Sequence, residues 1–450
     1  MSASAPLVVG TPGIMSMLSR ALLLLNAAQA AVAVAMAGYT FRTTAGQVYG
    51  TLDLQLAAMS NASRQADWPA TLQAYEAIES SSGRSIQSLI SEVVNPLLAS
   101  DEVTAYWGDA RQPDAFVRAA ITATNAVVGW DPTSRRELLT KGAAYQVVRQ
   151  HIFARLRSGV KYCNEPTLTV STNGDPIFQW EAAYALHAGS LELSDGTGKG
   201  SSTYALADKR CPQFDTCERG THPARSNVKA LRAWEDGVIA LAAGDCLRAL
   251  EMYRVIVAQL TVPLVQGMLR EAYEVDPQGG RATADGVVEV AEGWAFTAAI
   301  LPQIALCNRS AATLIARNMA LSLDGANGSH VADGFRVVKK AIEAEYDCLL
   351  IACADVGGML ADGRPIPGFE PCSAEPPASS NSDAVHVSTA GLVVLIIALV
   401  CLALDNLRMH RRQCQSKSPA PRASAEVVVQ VSESQQQSCT ASASHHSGIA

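Results

Sequence analysis

Apolar positions recur at three- and four-residue spacing over most of the middle of the chain. This spacing is the signature of helices that bury one face. Thr71–Glu79, Ile86–Leu98, Asp114–Val128, Ser134–Ser158, Asn227–Leu241, Gly244–Val275, Gly286–Leu306, Ala311–Leu321 and Ala332–Leu350 all read this way. Strand alternation is sparse, and Thr167–Ser171 is the best short candidate. Asp131-Pro132-Thr133-Ser134, with Glu137 three residues after Ser134, reads as a helix start with a capping box. Long connections are expected over 163–180, 189–226 and 322–332. The predicted class is all-α, a multi-helix domain over residues 38–372.

Two apolar stretches fall outside that pattern. Near the start, Arg20 precedes Leu22-Leu23-Leu24-Leu25 and an alanine-rich run to Ala37, with small-x-small sites at Ala28-Gln29-Ala30 and Ala35-Met36-Ala37. This reads as a secretory leader over 1–37. Asn26 and Gln29 interrupt the run, so an amphipathic leader is the other reading. Near the end, Val385 to Leu404 carries no acid or base except His386. A stretch of about 20 residues suits a hydrocarbon layer of roughly 30 Å. Arg408, His410, Arg411, Arg412 and Lys417 follow at once, which orients the tail to the cytoplasm. The reading is a single-pass protein of the plasma membrane. A Ser/Pro-rich stalk spans 373–384, a transmembrane helix 385–407 and a disordered tail 408–450, with the domain outside the cell or in the periplasm.

Composition then becomes intelligible. The chain has 450 residues, 48% apolar and 17% charged, against about 25% charged in ordinary soluble proteins. Leader, span and alanine-rich helices account for that balance. A net charge of −7 leaves no large basic face, which excludes a nucleic-acid partner. Cys163, Cys211, Cys217, Cys246, Cys307, Cys348, Cys353 and Cys372 precede the span. They form an even set in a compartment where disulfides persist, with the pairing left open. Cys401 falls in the span, while Cys414 and Cys439 fall in the tail. Cys414 reads equally as a palmitoylation site or a free thiol. The sequons at Asn61, Asn308 and Asn327 all fall on the outer side.

An internal likeness is visible. Trp180-Glu181-Ala182-Ala183-Tyr184-Ala185-Leu186 and Ala291-Glu292-Gly293-Trp294-Ala295-Phe296 each follow a long amphipathic segment, Tyr145–Ser158 and Leu260–Val275. Two readings stand: two similar helical halves with a site at their junction, or chance likeness between alanine-rich helices.

Four ordered segments resemble a known family. They are Phe178-Gln179-Trp180-Glu181-Ala182-Ala183-Tyr184-Ala185; Ser202-Thr203-Tyr204-Ala205-Leu206-Ala207-Asp208-Lys209-Arg210; Glu292-Gly293-Trp294-Ala295-Phe296; and Glu345-Tyr346 with Ala354-Asp355-Val356-Gly357. Together, over roughly residues 50–360, they look like the algal Fe-assimilating proteins, the high-CO2-inducible or low-iron-inducible periplasmic proteins related to phytotransferrin. The resemblance implies ferric iron capture in iron acquisition at the cell surface. Two positions depart from the pattern. Phe178 stands where the family has His, and Ala182 follows Glu181 where a second acid is expected.

Ferric iron is a hard cation that takes carboxylate and phenolate oxygens, with imidazole as an addition. The candidate ligands near these segments are Glu292, Glu181, Tyr204, Asp208, Glu289 and His187. Glu289 and Glu292 share one helical face. Each has a plain alternative as a solvated charge or a satisfied core polar group. Lys209 and Arg210 pair with an acid or hold a carbonate-like synergistic anion. Catalysis has no signature: the chain lacks His-Glu-x-x-His, Gly-x-Ser-x-Gly and the Gly-x-x-x-x-Gly-Lys-Ser/Thr loop. Two classes follow, a surface iron-binding protein or a non-catalytic surface domain on the same fold without metal.

Overall fold

The computed structural model describes residues 35–93, 101–165, 174–277, 286–321 and 330–372. The expected stalk, transmembrane helix and tail, the strand at Thr167–Ser171, Asn327 and residues 1–34 of the leader lie outside them. The described residues belong to one compact unit that ends at Ala374. It is predominantly helical, with two short antiparallel strand pairs: β1 (Ala35–Met36) with β2 (Tyr39–Thr40), and β3 (Leu360–Ala361) with β4 (Arg364–Pro365).

The helices are α1 (Thr44–Gln47), α2 (Leu52–Arg64), α3 (Trp68–Glu76), α4 (Ile86–Val93), α5 (Asp101–Trp107), α6 (Gln112–Thr122), α7 (Pro132–Lys141) and α8 (Arg149–Asn164). There follow α9 (Pro176–Ala188), α10 (Thr203–Phe214), α11 (Arg225–Ala243), α12 (Cys246–Glu274), α13 (Gly286–Cys307), α14 (Arg309–Met319), α15 (Phe335–Glu343), α16 (Tyr346–Leu349) and α17 (Cys353–Val356).

Most periodic segments form helices, and their ends follow local chemistry. In α15, Phe335, Val338 and Ile342 are buried, the one-face stripe that the spacing predicts. Asp67, Asp131, Asp175, Asp245 and Asn308 each accept a hydrogen bond from a first-turn amide of the helix they precede. At the start of α7 the cap is Asp131, which accepts from Thr133 and Ser134. The Ser134–Glu137 capping box does not form, because Glu137 turns to Arg136 and Lys141. The predicted Ser134–Ser158 helix contains a π-helical stretch over Gly142–Val148, between α7 and α8. Ala332–Leu350 breaks into α15 and α16, and Asp114–Val128 stops at Thr122, after which Ala123 turns left-handed at φ 54°.

The expected connection 189–226 holds a helix, α10, and 163–180 holds the first turn of another, α9. The reason is visible in α9: every residue from Gln179 to Ala188 is buried. A helix buried all round shows no polar face, so no 3.6-residue alternation marks it. α9 packs against α8 and α11. Gly237 of α11 makes that approach feasible, since a Cβ there would lie 2.1 Å from Cζ2 of Trp180. The Trp180 indole N–H donates to the Trp234 carbonyl at 3.0 Å.

α12 and α13 are long and apolar enough to span a bilayer, yet 78% and 67% of their most apolar windows are buried inside the fold. The α12–α13 pair forms the second half of the core, packed on α11, α7 and α14. All eight cysteines of the domain are paired: Cys163–Cys246, Cys211–Cys217, Cys307–Cys348 and Cys353–Cys372. Four bridges fit a fold matured in an oxidising compartment.

Candidate binding site

The two acids with the strongest sequence case occupy different surroundings. Glu181, on α9, is fully buried. Its Oε1 accepts from the Arg42 amide at 2.5 Å, and its Oε2 from the Thr43 amide at 2.9 Å and the Thr43 hydroxyl at 2.5 Å. The Tyr39 hydroxyl completes the set at 3.4 Å. The carboxylate therefore fastens the segment before α1 to the core. Gly46 presses on it from that side, where a Cβ would lie 2.9 Å from Glu181 Cβ.

Glu292, on α13, lies among cations. Lys141 reaches it at 3.1 Å and Arg210 at 3.2 Å. Burial by itself would raise its proton affinity, but Lys141 and Arg210 prevail and hold it at about 2. Arg210 also meets Glu271 at 3.3 Å, and Arg270 meets Glu271 at 2.5 Å. Glu271 is fully buried with one oxygen unpartnered, and desolvation followed by the Glu292 charge lifts it to about 7 against Arg210 and Arg270. The Arg210 guanidinium stands 5.1 Å from the centre of the Phe296 ring, a cation–π contact.

The remaining candidates do not complete a coordination shell. His187 is buried against Trp234, with ring centres 4.9 Å apart, and shares a 2.7 Å hydrogen bond with the Thr203 hydroxyl. Desolvation lowers it to about 3, so it stays neutral. The Tyr204 hydroxyl lies beneath Gly196, where a Cβ would come within 2.2 Å of it. Burial, with Asp208 and Glu192 nearby, raises its pKa and opposes phenolate formation. Asp208 accepts from the Ala224 amide at 2.7 Å and Asn227 at 2.9 Å, and pairs with His222 at 2.6 Å. Burial raises the Glu289 carboxyl, and its Oε2 is unpartnered. Glu181 and Glu292 share no partner. Among the described residues, no three His, Cys, Asp or Glu side chains group so as to hold a metal ion. The six candidate ligands of the sequence are not brought together in one such group among the described residues.

What the fold does assemble is a pocket of about 540 Å³ between α2, the end of α7, α10 and the loop before α10. Asp208 and Lys209 of α10 line it, so the Ser-Thr-Tyr-to-Lys-Arg segment supplies one wall. Lys141 and Tyr145 come from the far side, and Glu192, Lys199 and His222 from the loops. The loop Gly196-Thr197-Gly198-Lys199-Gly200 fits only because it is glycine-rich. A Cβ on Gly198 would lie 1.8 Å from the Leu191 carbonyl oxygen, and one on Gly200 would lie 2.4 Å from Glu192 Oε1. The Gly200 amide donates to that oxygen at 2.8 Å. Desolvation raises Glu192 to about 7, with Asp208 and Asp53 adding to it and the Gly200 bond opposing.

Sequence reasoning missed Lys141, Glu192 and Lys199. Lys141 sat in a helix with no distinguishing spacing, and the other two sat in an expected connection. The glycine run before a helix was the only available signal, and it matches no phosphate-loop spacing. Compared with protein-family models, with curated proteins and with solved structures, the chain matches none.

Proposed function

We propose that the chain is a non-catalytic binding domain held on the outer side of a membrane by the 385–407 span, and that its ligand site is the α10 pocket. One observation carries this reading. Both oxygens of Glu181 and Oε1 of Glu292, the acids on which direct metal ligation depended, are engaged by protein donors, whereas the pocket offers charged groups with spare capacity. Ferric titration of the full-length purified protein tests it. The expected result is no stoichiometric uptake and no phenolate charge-transfer band, with or without bicarbonate. A band lost in Glu292→Ala or Glu181→Ala would overturn it.

A second reading keeps iron capture in iron acquisition, with carbonate as synergistic anion, as the resemblance implies. One observation favours it: Asp208, from the segment of greatest resemblance, lines the same pocket as Glu192 and His222 from the loops. Under this reading Asp208→Ala abolishes iron uptake.

The leader reading gains a sharper form. Met36 and Ala37 are buried, and the Tyr184 hydroxyl donates to the Ala37 carbonyl at 2.8 Å. Processing at Ala28-Gln29-Ala30 keeps β1, whereas processing after Ala37 removes it. We therefore expect a mature N-terminus upstream of Ala35, which N-terminal sequencing of the secreted chain reads directly.

A further inference from the structure

The pocket's charges are unevenly satisfied. Lys141 is engaged by Glu137 and Glu292. Arg210, just behind, is engaged by Glu271 and Glu292. Lys209 lines the cavity beside them, and among the described residues no carboxylate lies within ion-pair distance of it. The same holds for Lys199 on the glycine loop. Desolvation and the neighbouring Arg210 and Lys141 lower the proton affinity of Lys209, the Glu292 and Glu137 charges opposing. Asp208 is tied to His222 and to backbone and amide donors. The first turn of α10 contains no acid, and its N-cap Ser202 makes no side-chain cap, while Ser201 and Ala205 face the cavity. Helix amides of this kind favour negative charge. The lining thus has two cations without counter-ions, and Glu192, a carboxylate with one oxygen bonded to the Gly200 amide, beside them.

Together these groups select for charge and for hydroxyl content. We propose that the pocket binds a small hydroxylated oxyanion, a carboxylate or phosphate of two or more negative charges, held by Lys209 and Lys199 with a hydroxyl donated to Glu192. Its volume of about 540 Å³ falls within the roughly 300–1,000 Å³ range of small-molecule sites. A bare metal ion would meet two lysines that no described carboxylate offsets. The proposal rests on the pocket being the binding site. Failure of the anion alone leaves that reading standing with a different ligand, because the ferric titration is read separately.

Isothermal titration of the full-length purified protein at low salt tests it, with citrate, glycerol 3-phosphate, tricarballylate and glycerol as probes. Citrate and glycerol 3-phosphate are expected to saturate one site. Tricarballylate, which is citrate without its hydroxyl, is expected to bind several-fold more weakly, and glycerol not at all. Lys209→Ala and Lys199→Ala should each weaken citrate by about tenfold or more, the scale of one charge-assisted hydrogen bond. Lys209→Arg should stay within a few-fold of the native protein. Both lysines lack described protein partners, so circular dichroism melts of these variants should match the native one. Glu192→Ala should narrow the difference between citrate and tricarballylate, because it removes the hydroxyl acceptor. Lack of binding by both anions, unchanged affinity in both lysine-to-alanine variants, or an undiminished preference for citrate over tricarballylate in Glu192→Ala would each overturn the proposal.

Discussion

The α8–α9 and α12–α13 helix pairs look alike in sequence, but the acids Glu181 of the first and Glu292 of the second are satisfied by different means. Glu181 is held by neutral donors, two amides and a hydroxyl from a single strand of chain. Glu292 is held by two cations that each have a second acid to turn to, Glu137 for Lys141 and Glu271 for Arg210. A carboxylate bound to amides is a rivet, because those amides have no alternative partner. A carboxylate within a charge network is replaceable, because its partners remain satisfied without it. Both oxygens of Glu181 are already in use, and so is Oε1 of Glu292.

The disulfide between the pairs gives the largest expected effect. Cys163–Cys246 ties the end of α8 to the start of α12 across 83 residues of sequence. Loop-closure entropy puts its removal at about 4–5 kcal/mol, against about 2 kcal/mol for a short loop such as Cys211–Cys217. Urea denaturation of the two double-alanine variants should show that order, and equal losses would deny that the first bridge joins the pairs. Glu181→Ala comes next, at about 3–5 kcal/mol, since it strands buried donors. Glu292→Ala should lose no more than about 1 kcal/mol, the behaviour of a removable member of a buried network. The reverse order would break the comparison.

Packing separates the pairs further. A Cβ at Gly267 would lie 2.7 Å from the Phe296 ring, while one at Gly159 meets the Pro176 carbonyl oxygen at 3.1 Å and Trp180 at 3.5 Å. Gly267→Ala should therefore cost about 2 kcal/mol despite the gain in helix propensity. Gly159→Ala should fall within about 1 kcal/mol of native, and matched thermal melts would distinguish them. A further effect is a pH dependence. Glu271 has a folded value of about 7, above the unfolded one of about 4.3. Its stabilising contribution is complete below the unfolded value and is lost as pH rises through 7. Stability of Glu271→Gln relative to native should rise between about pH 5 and pH 8, by a few kcal/mol at most. Glu292, held at about 2, loses its contribution only as pH falls below the unfolded value. A flat difference across that window would leave Glu271 without the role given to it.

How much was legible depends on what each residue faces. Helices with one wet face announced themselves: α15 buries Phe335, Val338 and Ile342 as the spacing required. α9 did not, because its sides from Gln179 on are covered, and its first turn fell inside an expected connection. Among the candidate ligands, Asp208 alone both came from sequence and lines the pocket. Lys141 and Glu192 became neighbours of Lys209 through packing between helices far apart in the chain, which no local spacing records. Glu292 was suspected because aromatic and small residues flank a carboxylate there. That suspicion of a demanding environment was sound, although cations rather than a metal answer it.

By itself the sequence determined helical class, the even set of outer cysteines and the acids that need partners. These follow from period, count and solvation, properties each segment carries alone. Only the tertiary structure decided which cysteines join, which donors satisfy Glu181 and Glu292, and where two lysines stand without a counter-ion among the described residues. Those outcomes depend on which faces meet, and burial fixes that across the whole chain at once.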